Sequence, residues 1–157
     1  MTDRAQEVTF QFRLRGGSWG VGWADARLEV GGNVVEMGPS YVTDALGDLL
    51  RAGVALTQGA PDVSLSWNEE GLWVHWWFAL QAERVRLRVE FQREDGSAPQ
   101  EQLSGIVRLD ALVRVVVCEA RAVFDEHGEE GYLDRWGLHP FPVAELRALE
   151  DWPTSNP

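Results

Sequence analysis

The sequence predicts an α+β fold: an antiparallel sheet of about five to seven strands with helices mainly on one face, in the order β-β-β-α-β-β-β-(β)-α-α-α. Three observations lead there. Apolar and polar residues alternate in several short runs, the period of a half-buried strand. Glycine-rich or acidic turns separate those runs. Apolar stripes of helical period occur only after Pro39 and in the C-terminal third.

Val8, Phe10, Phe12 and Leu14 alternate with Thr9, Gln11 and Arg13. Gly16-Gly17 then suits a two-residue hairpin, because glycine accepts positive φ at both turn positions. Such a hairpin pairs Leu14 with Trp19, Phe12 with Val21 and Phe10 with Trp23, placing Trp19 and Trp23 with the core. The apolar phase changes near Ala24–Asp25, where a β-bulge is expected; Ala24, Ala26, Leu28 and Val30 continue it. Gly31-Gly32 turns the chain into a short strand around residues 34–37. Ser40 is the expected N-cap of the first helix. Its stripe is Val42, Leu46, Leu49, Leu50 and Val54, and Gly59 and Pro61 end it.

The middle of the chain constrains the strand register. Val63, Leu65 and Trp67 alternate ahead of a turn over residues 68–71. Leu72, Val74, Trp76, Phe78 and Leu80 alternate with Trp73, His75 and Trp77. Val85, Leu87, Val89 and Phe91 alternate with Arg84, Arg86, Arg88 and Glu90. The apolar faces match only if paired residue numbers have an odd sum. The expected pairs are Leu72–Phe91, Val74–Val89, Trp76–Leu87 and Phe78–Val85. Across the preceding turn, Trp67 meets Leu72 and Leu65 meets Val74. A one-residue slip would bury three arginines, whose desolvation is prohibitive. The reverse face then pairs Trp77 with Arg86 and His75 with Arg88.

Residues 103–109 supply a further strand. Asp110 caps a long helix from residue 111 to about residue 127, ended by Gly128. Its apolar residues are Leu112, Val115, Val116, Ala120, Val123 and Phe124. The β-branched run over residues 113–117 leaves a strand as the alternative. A short helix over 129–136 stops at Gly137, and a last helix covers 143–151.

The chain has 157 residues, enough for one domain with its own core; residues 1–152 are expected to form it and 153–157 a frayed tail. Residues 1–7 are polar, so no signal peptide is expected. The net charge is −11, which disfavours nucleic-acid backbones and anionic membranes as partners. It suits a basic protein partner instead. All 14 basic residues are arginine, so lysine-based chemistry is excluded. The single cysteine, Cys118, cannot form an internal disulfide and reads as a buried, inert thiol; a reducing cytoplasm is the expected location.

No motif carries a cofactor or a metal. Gly16-Gly17-Ser18-Trp19-Gly20 matches G-x-S-x-G, but a nucleophile elbow needs a helix after the turn, and here a strand pattern continues. His75, His127 and His139 lack the close spacing of metal ligands. The best candidate binding site is the reverse sheet face: Trp73, His75, Trp77, Arg84, Arg86 and Arg88. Trp and Arg are the residues that interfaces concentrate, and a Trp77–Arg86 cation–π contact would contribute about 0.5–1 kcal/mol. Two structural alternatives compete: arginine stems shielding the sheet, or terminal helices covering the face. The same surface is also the candidate for self-association, or, if a pocket with convergent polar groups forms at His75, for a small ligand or an unrecognised enzyme site.

The stretch Glu129-Glu130-Gly131-Tyr132-Leu133-Asp134-Arg135-Trp136-Gly137-Leu138-His139-Pro140-Phe141-Pro142, followed by Glu145-Leu146, is similar to a segment of small bacterial α+β proteins. Some of these resemble immunity proteins of bacterial toxin systems. The resemblance implies a non-enzymatic interaction role and carries no functional residue over. Tyr132, Trp136, Phe141 and Leu146 would anchor the terminal helices to the sheet. Residues 119–151 hold nine Asp/Glu and three Arg, an acidic region suited to a basic partner such as a nuclease.

Overall fold

A computed structural model describes residues 4–152. The tail expected beyond residue 152, and Met1–Asp3, lie outside the described residues. Seven antiparallel strands and three helices follow the predicted order. The strands divide into two sheets. β1 (Val8–Leu14), β2 (Ala24–Val30) and β3 (Asn33–Met37) form the first, in the order β1-β2-β3. β4 (Asp62–Asn68), β5 (Leu72–Gln81), β6 (Arg84–Arg93) and β7 (Gln100–Arg108) form the second, a four-stranded meander. The helices are α1 (Ala45–Thr57), α2 (Leu109–Trp136) and α3 (Val143–Asp151).

One continuous buried core joins both sheets and the helices. Trp67 and Trp76 sit at its centre with ring centroids 4.9 Å apart, against Phe12 and Phe10 of the first sheet. Trp67 Nε1 donates to the carbonyl of Ala45, tying β4 to the start of α1. The sheets meet where Gln6 N–H donates to Ile106 O and Ile106 N–H donates to Gln6 Oε1. Gly105 permits that approach, since a Cβ there would stand 2.6 Å from Val30 Cγ1. α2 runs along edge strand β1, where Glu119 Oε1 accepts the N–H of Phe12 at 3.0 Å and satisfies an edge donor.

The β-branched run in α2 is helical because Leu112, Val113, Val116, Ala120 and Val123 are buried on one stripe, so packing overrides weak propensity. Gly128 interrupts α2 with φ 67° and ψ −179°, a conformation glycine accepts without a Cβ penalty. The turn after it brings Tyr132 and Trp136 into the core, both fully buried, with Phe141 packed edge-on to Tyr132 at 5.2 Å. Arg51 clamps α1 to α3 through Glu145, while also pairing with Asp44 and Asp48. Arg121 holds α2 to α3 through Glu150.

Several sequence expectations fail locally. The first hairpin does not turn at Gly16-Gly17. β1 pairs with β2 as Leu14–Ala24, Phe12–Ala26 and Phe10–Leu28. The small Ala26 stands opposite Phe12, which leaves Phe12 room to pack on Trp67 and Trp136. The supposed bulge at Ala24 marks where the strand begins. Residues 15–23 instead form a loop containing a 3-10 turn, Ser18–Gly20. Trp19 is therefore 95% exposed, not in the core, and Trp23 is half-buried beneath Arg15. α1 starts after Asp44 rather than at Ser40, because Ser40 is buried and its N–H donates to Asn68 O. Cys118 is exposed on α2, outside the buried stripe.

Candidate functional site

The reverse face of the four-stranded sheet follows from strand parity. In β5 and β6, Val74, Trp76, Phe78, Val85, Leu87 and Val89 point into the core. Trp73, His75, Trp77, Arg84, Arg86 and Arg88 therefore share the opposite face, as predicted. The helices leave that face open: Trp77 is 42% exposed and all three arginines are exposed.

The pairing differs from the expected one by two residues. β5 and β6 join through a two-residue turn, with Gln81 opposite Arg84. Trp77 thus stands opposite Arg88, and His75 opposite Glu90. Trp67 pairs with Val74 across the β4–β5 turn, the same two-residue offset. A shift of two preserves every side chain's face, which is why the face assignment survived.

The new register changes the chemistry. The Arg88 guanidinium lies over the Trp77 ring at 5.5 Å, taking the place expected for Arg86. Trp77 Nε1 donates to Glu90 Oε1 at 2.9 Å, and Arg88 Nε lies 3.4 Å from Glu90 Oε2. Glu90 was read only as a polar alternate; it links the indole and the guanidinium. Arg86 makes no ion pair among the described residues. Arg86 and Arg88 flank a shallow concavity of about 460 Å³, with Trp77, Ser64, Asp62 and Glu101.

His75 is bound on both sides. Its Nε2 donates to Gln92 Oε1 at 2.8 Å, and its Nδ1 is 2.6 Å from Ser66 Oγ. The Gln92 amide nitrogen donates to Ser97 O, consistent with its oxygen facing the imidazole. Nδ1 then accepts the Ser66 hydroxyl proton. Both ring nitrogens of His75 are thus hydrogen-bonded to side chains of the neighbouring strands. Its ring lies parallel to that of Trp73, centroids 6.5 Å apart. Trp73, Ser66 and Gln92 thus hold His75 as part of the sheet surface. Among the described residues, no three His, Cys, Asp or Glu side chains converge in a metal-binding group, and no helix is long and apolar enough to cross a membrane.

No protein-family model and no curated protein matches the sequence. A chain of the solved CdiA-CT/CdiI toxin and immunity complex from Enterobacter cloacae is similar in structure, with a TM-score of 0.44 and 8% identity. The alignment covers 72% of this chain and 99% of that one.

Proposed function

We propose that the chain, acting as one domain up to residue 152, is a non-enzymatic protein-binding module. Its contact surface is the open face of the four-stranded sheet, with Trp77 as anchor and Arg84, Arg86 and Arg88 beside it. The observation that carries this reading is the state of Trp77. Its ring is exposed, yet Glu90 and Arg88 already hold it. A partner would gain a large apolar contact at little further cost in side-chain ordering. The net charge of −11 steers a basic partner toward the chain as a whole, while the three arginines of this face call for apolar or acidic groups on the part of the partner that meets Trp77; the C-terminal segment that resembles immunity proteins fits a toxin as that partner.

The test is calorimetric titration of the purified product of the adjacent gene into the wild-type chain and into a Trp77→Ala/Arg86→Ala double variant. The expected result is binding that weakens at least about tenfold in the variant, the effect of truncating an interface anchor. Equal binding by both proteins, or a gene with no toxin-like neighbour, contradicts the proposal.

A small-ligand role has one observation in its favour. The concavity beside Arg86 falls within the about 300–1,000 Å³ of ordinary ligand pockets. A thermal-shift screen of small carboxylates and phosphates, with stabilisation lost in Arg86→Ala, would select that reading.

A further inference from the structure

Eight large hydrophobic residues are exposed among the described residues, and five of them fall in three short segments that meet at one end of the first sheet. These are Trp19 and Val21 in the β1–β2 loop, Tyr41 and Val42 before α1, and Leu138 after α2. The segments are cross-linked by main-chain hydrogen bonds. Gly22 N–H donates to Arg135 O at 2.8 Å, and Tyr41 N–H donates to Gly22 O at 2.8 Å. Arg135 reaches back to donate to Gly17 O, and His139 Nε2 donates to Tyr41 O at 3.2 Å. The Tyr41 ring fills the space between Gly22 and Gly137; a Cβ on Gly22 would lie 2.8 Å from Tyr41 Cδ1. The loops are therefore braced, and Trp19 stands out from a fixed base with 95% of its surface in water.

A braced loop cluster that leaves an indole and four other apolar side chains in water has the composition of a contact surface rather than of a loop spacer. Its rim indicates the occupant. Asp134 is exposed on the last turn of α2, one turn before Leu138, and Glu130 is exposed one turn earlier. Of the nearby cations, Arg15 is paired with the Asp25 carboxylate, and Arg135, beside Asp134 in sequence, donates to the neutral Gly17 O. A second copy of this chain would bring another −11 charge against the same acidic rim, which opposes self-association.

We propose that the Trp19 loop cluster is a second docking surface, distinct from the sheet face, and that it receives a basic protein segment with an apolar pocket or anchor for the indole. The probe is a random peptide library displayed on phage, panned on the purified chain at low salt with counter-selection on Trp19→Ala. Enriched peptides should carry net positive charge together with aromatic or aliphatic residues. Measured as labelled synthetic peptides, they should bind at least about tenfold more weakly to Trp19→Ala, and more weakly and with less salt dependence to Glu130→Gln/Asp134→Asn. Trp77→Ala should bind them like the wild type, which separates this surface from the one on the sheet.

Leu138→Ser reads the same patch from another segment, so the test does not hang on the folding of one variant. The proposal is overturned if no peptide depends on Trp19, if the enriched peptides are acidic, or if Trp19→Ala abolishes a self-association seen by sedimentation equilibrium.

Discussion

Trp76 and Trp77 are neighbours in one strand and should respond oppositely to truncation. Trp76 is 1% exposed and packs on Trp67, Phe10 and Phe78. Trp76→Ala removes a whole buried ring and leaves a cavity, at a cost of about 3–5 kcal/mol. Trp77 is 42% exposed, with its ring against Arg88 and its N–H on Glu90. Losing an exposed cation–π contact costs about 0.5–1 kcal/mol, and an exposed hydrogen bond to a carboxylate about as much again. Trp77→Ala should therefore cost about 1–2 kcal/mol in total. For a chain of this size, 1 kcal/mol moves Tm by about 2–4 °C. The expected falls in Tm are thus roughly 6–20 °C for Trp76→Ala and roughly 2–8 °C for Trp77→Ala. Thermal unfolding followed by far-UV circular dichroism measures both without relying on tryptophan emission. If Trp77→Ala loses as much stability as Trp76→Ala, Trp77 is a structural residue and the sheet face is not an open contact surface.

The Tyr132 hydroxyl is buried with no hydrogen-bond partner among the described residues, so Tyr132→Phe should stabilise by about 1 kcal/mol, read as a higher urea midpoint. Burial, and then the negative charge of Asp44, push the Tyr132 phenol above its ordinary value of 10.0. The unfolded chain therefore releases this proton at a pH where the folded chain still holds it. Stability should fall as pH rises above about 10, and that part of the fall should be absent in Tyr132→Phe. Gly105→Ala would place a Cβ 2.5 Å from Gln6 Oε1 and 2.6 Å from Val30 Cγ1, at the junction of the sheets. Overpacking there costs about 1–3 kcal/mol, against about 0.5–1 kcal/mol regained from strand propensity, so thermal melts should show net destabilisation.

The face of each residue in the second sheet was legible because it depends only on parity. Burying Arg84, Arg86 and Arg88 is so unfavourable that the alternation in β6 admits one solution. The pairing partner was not legible to the residue. It depends on the turn, and Ala82 adopts φ 56° with no glycine to announce it. Arg88 rather than Arg86 therefore covers Trp77, and Glu90 joins them. In the first sheet a local signal misled. Gly16-Gly17 is a good hairpin turn in isolation, yet Gly17 takes φ 75° and ψ 172° and leads into a 3-10 turn. Trp19 went into the core by that pairing and stands in water in the structure. The density of glycines at positions 16, 17, 20 and 22 was the available sign that the strand had ended.

The sequence by itself determined the order of elements, the faces of the second sheet, the helix break at Gly128 and the buried Tyr132, Trp136, Phe141 and Leu146. All of these follow from short-range periodicity, from glycine or from the cost of burying charge. Tertiary structure alone decided that seven strands divide into two sheets, that the helices leave the Trp77 face open, and that Trp19, Tyr41 and Leu138 meet at one end. Those outcomes depend on residues distant in the chain competing for one volume: Phe12 needs space against Trp67 and Trp136, and only the Ala24–Ala26 register provides it. Local pattern records which way a side chain points; packing decides what it meets.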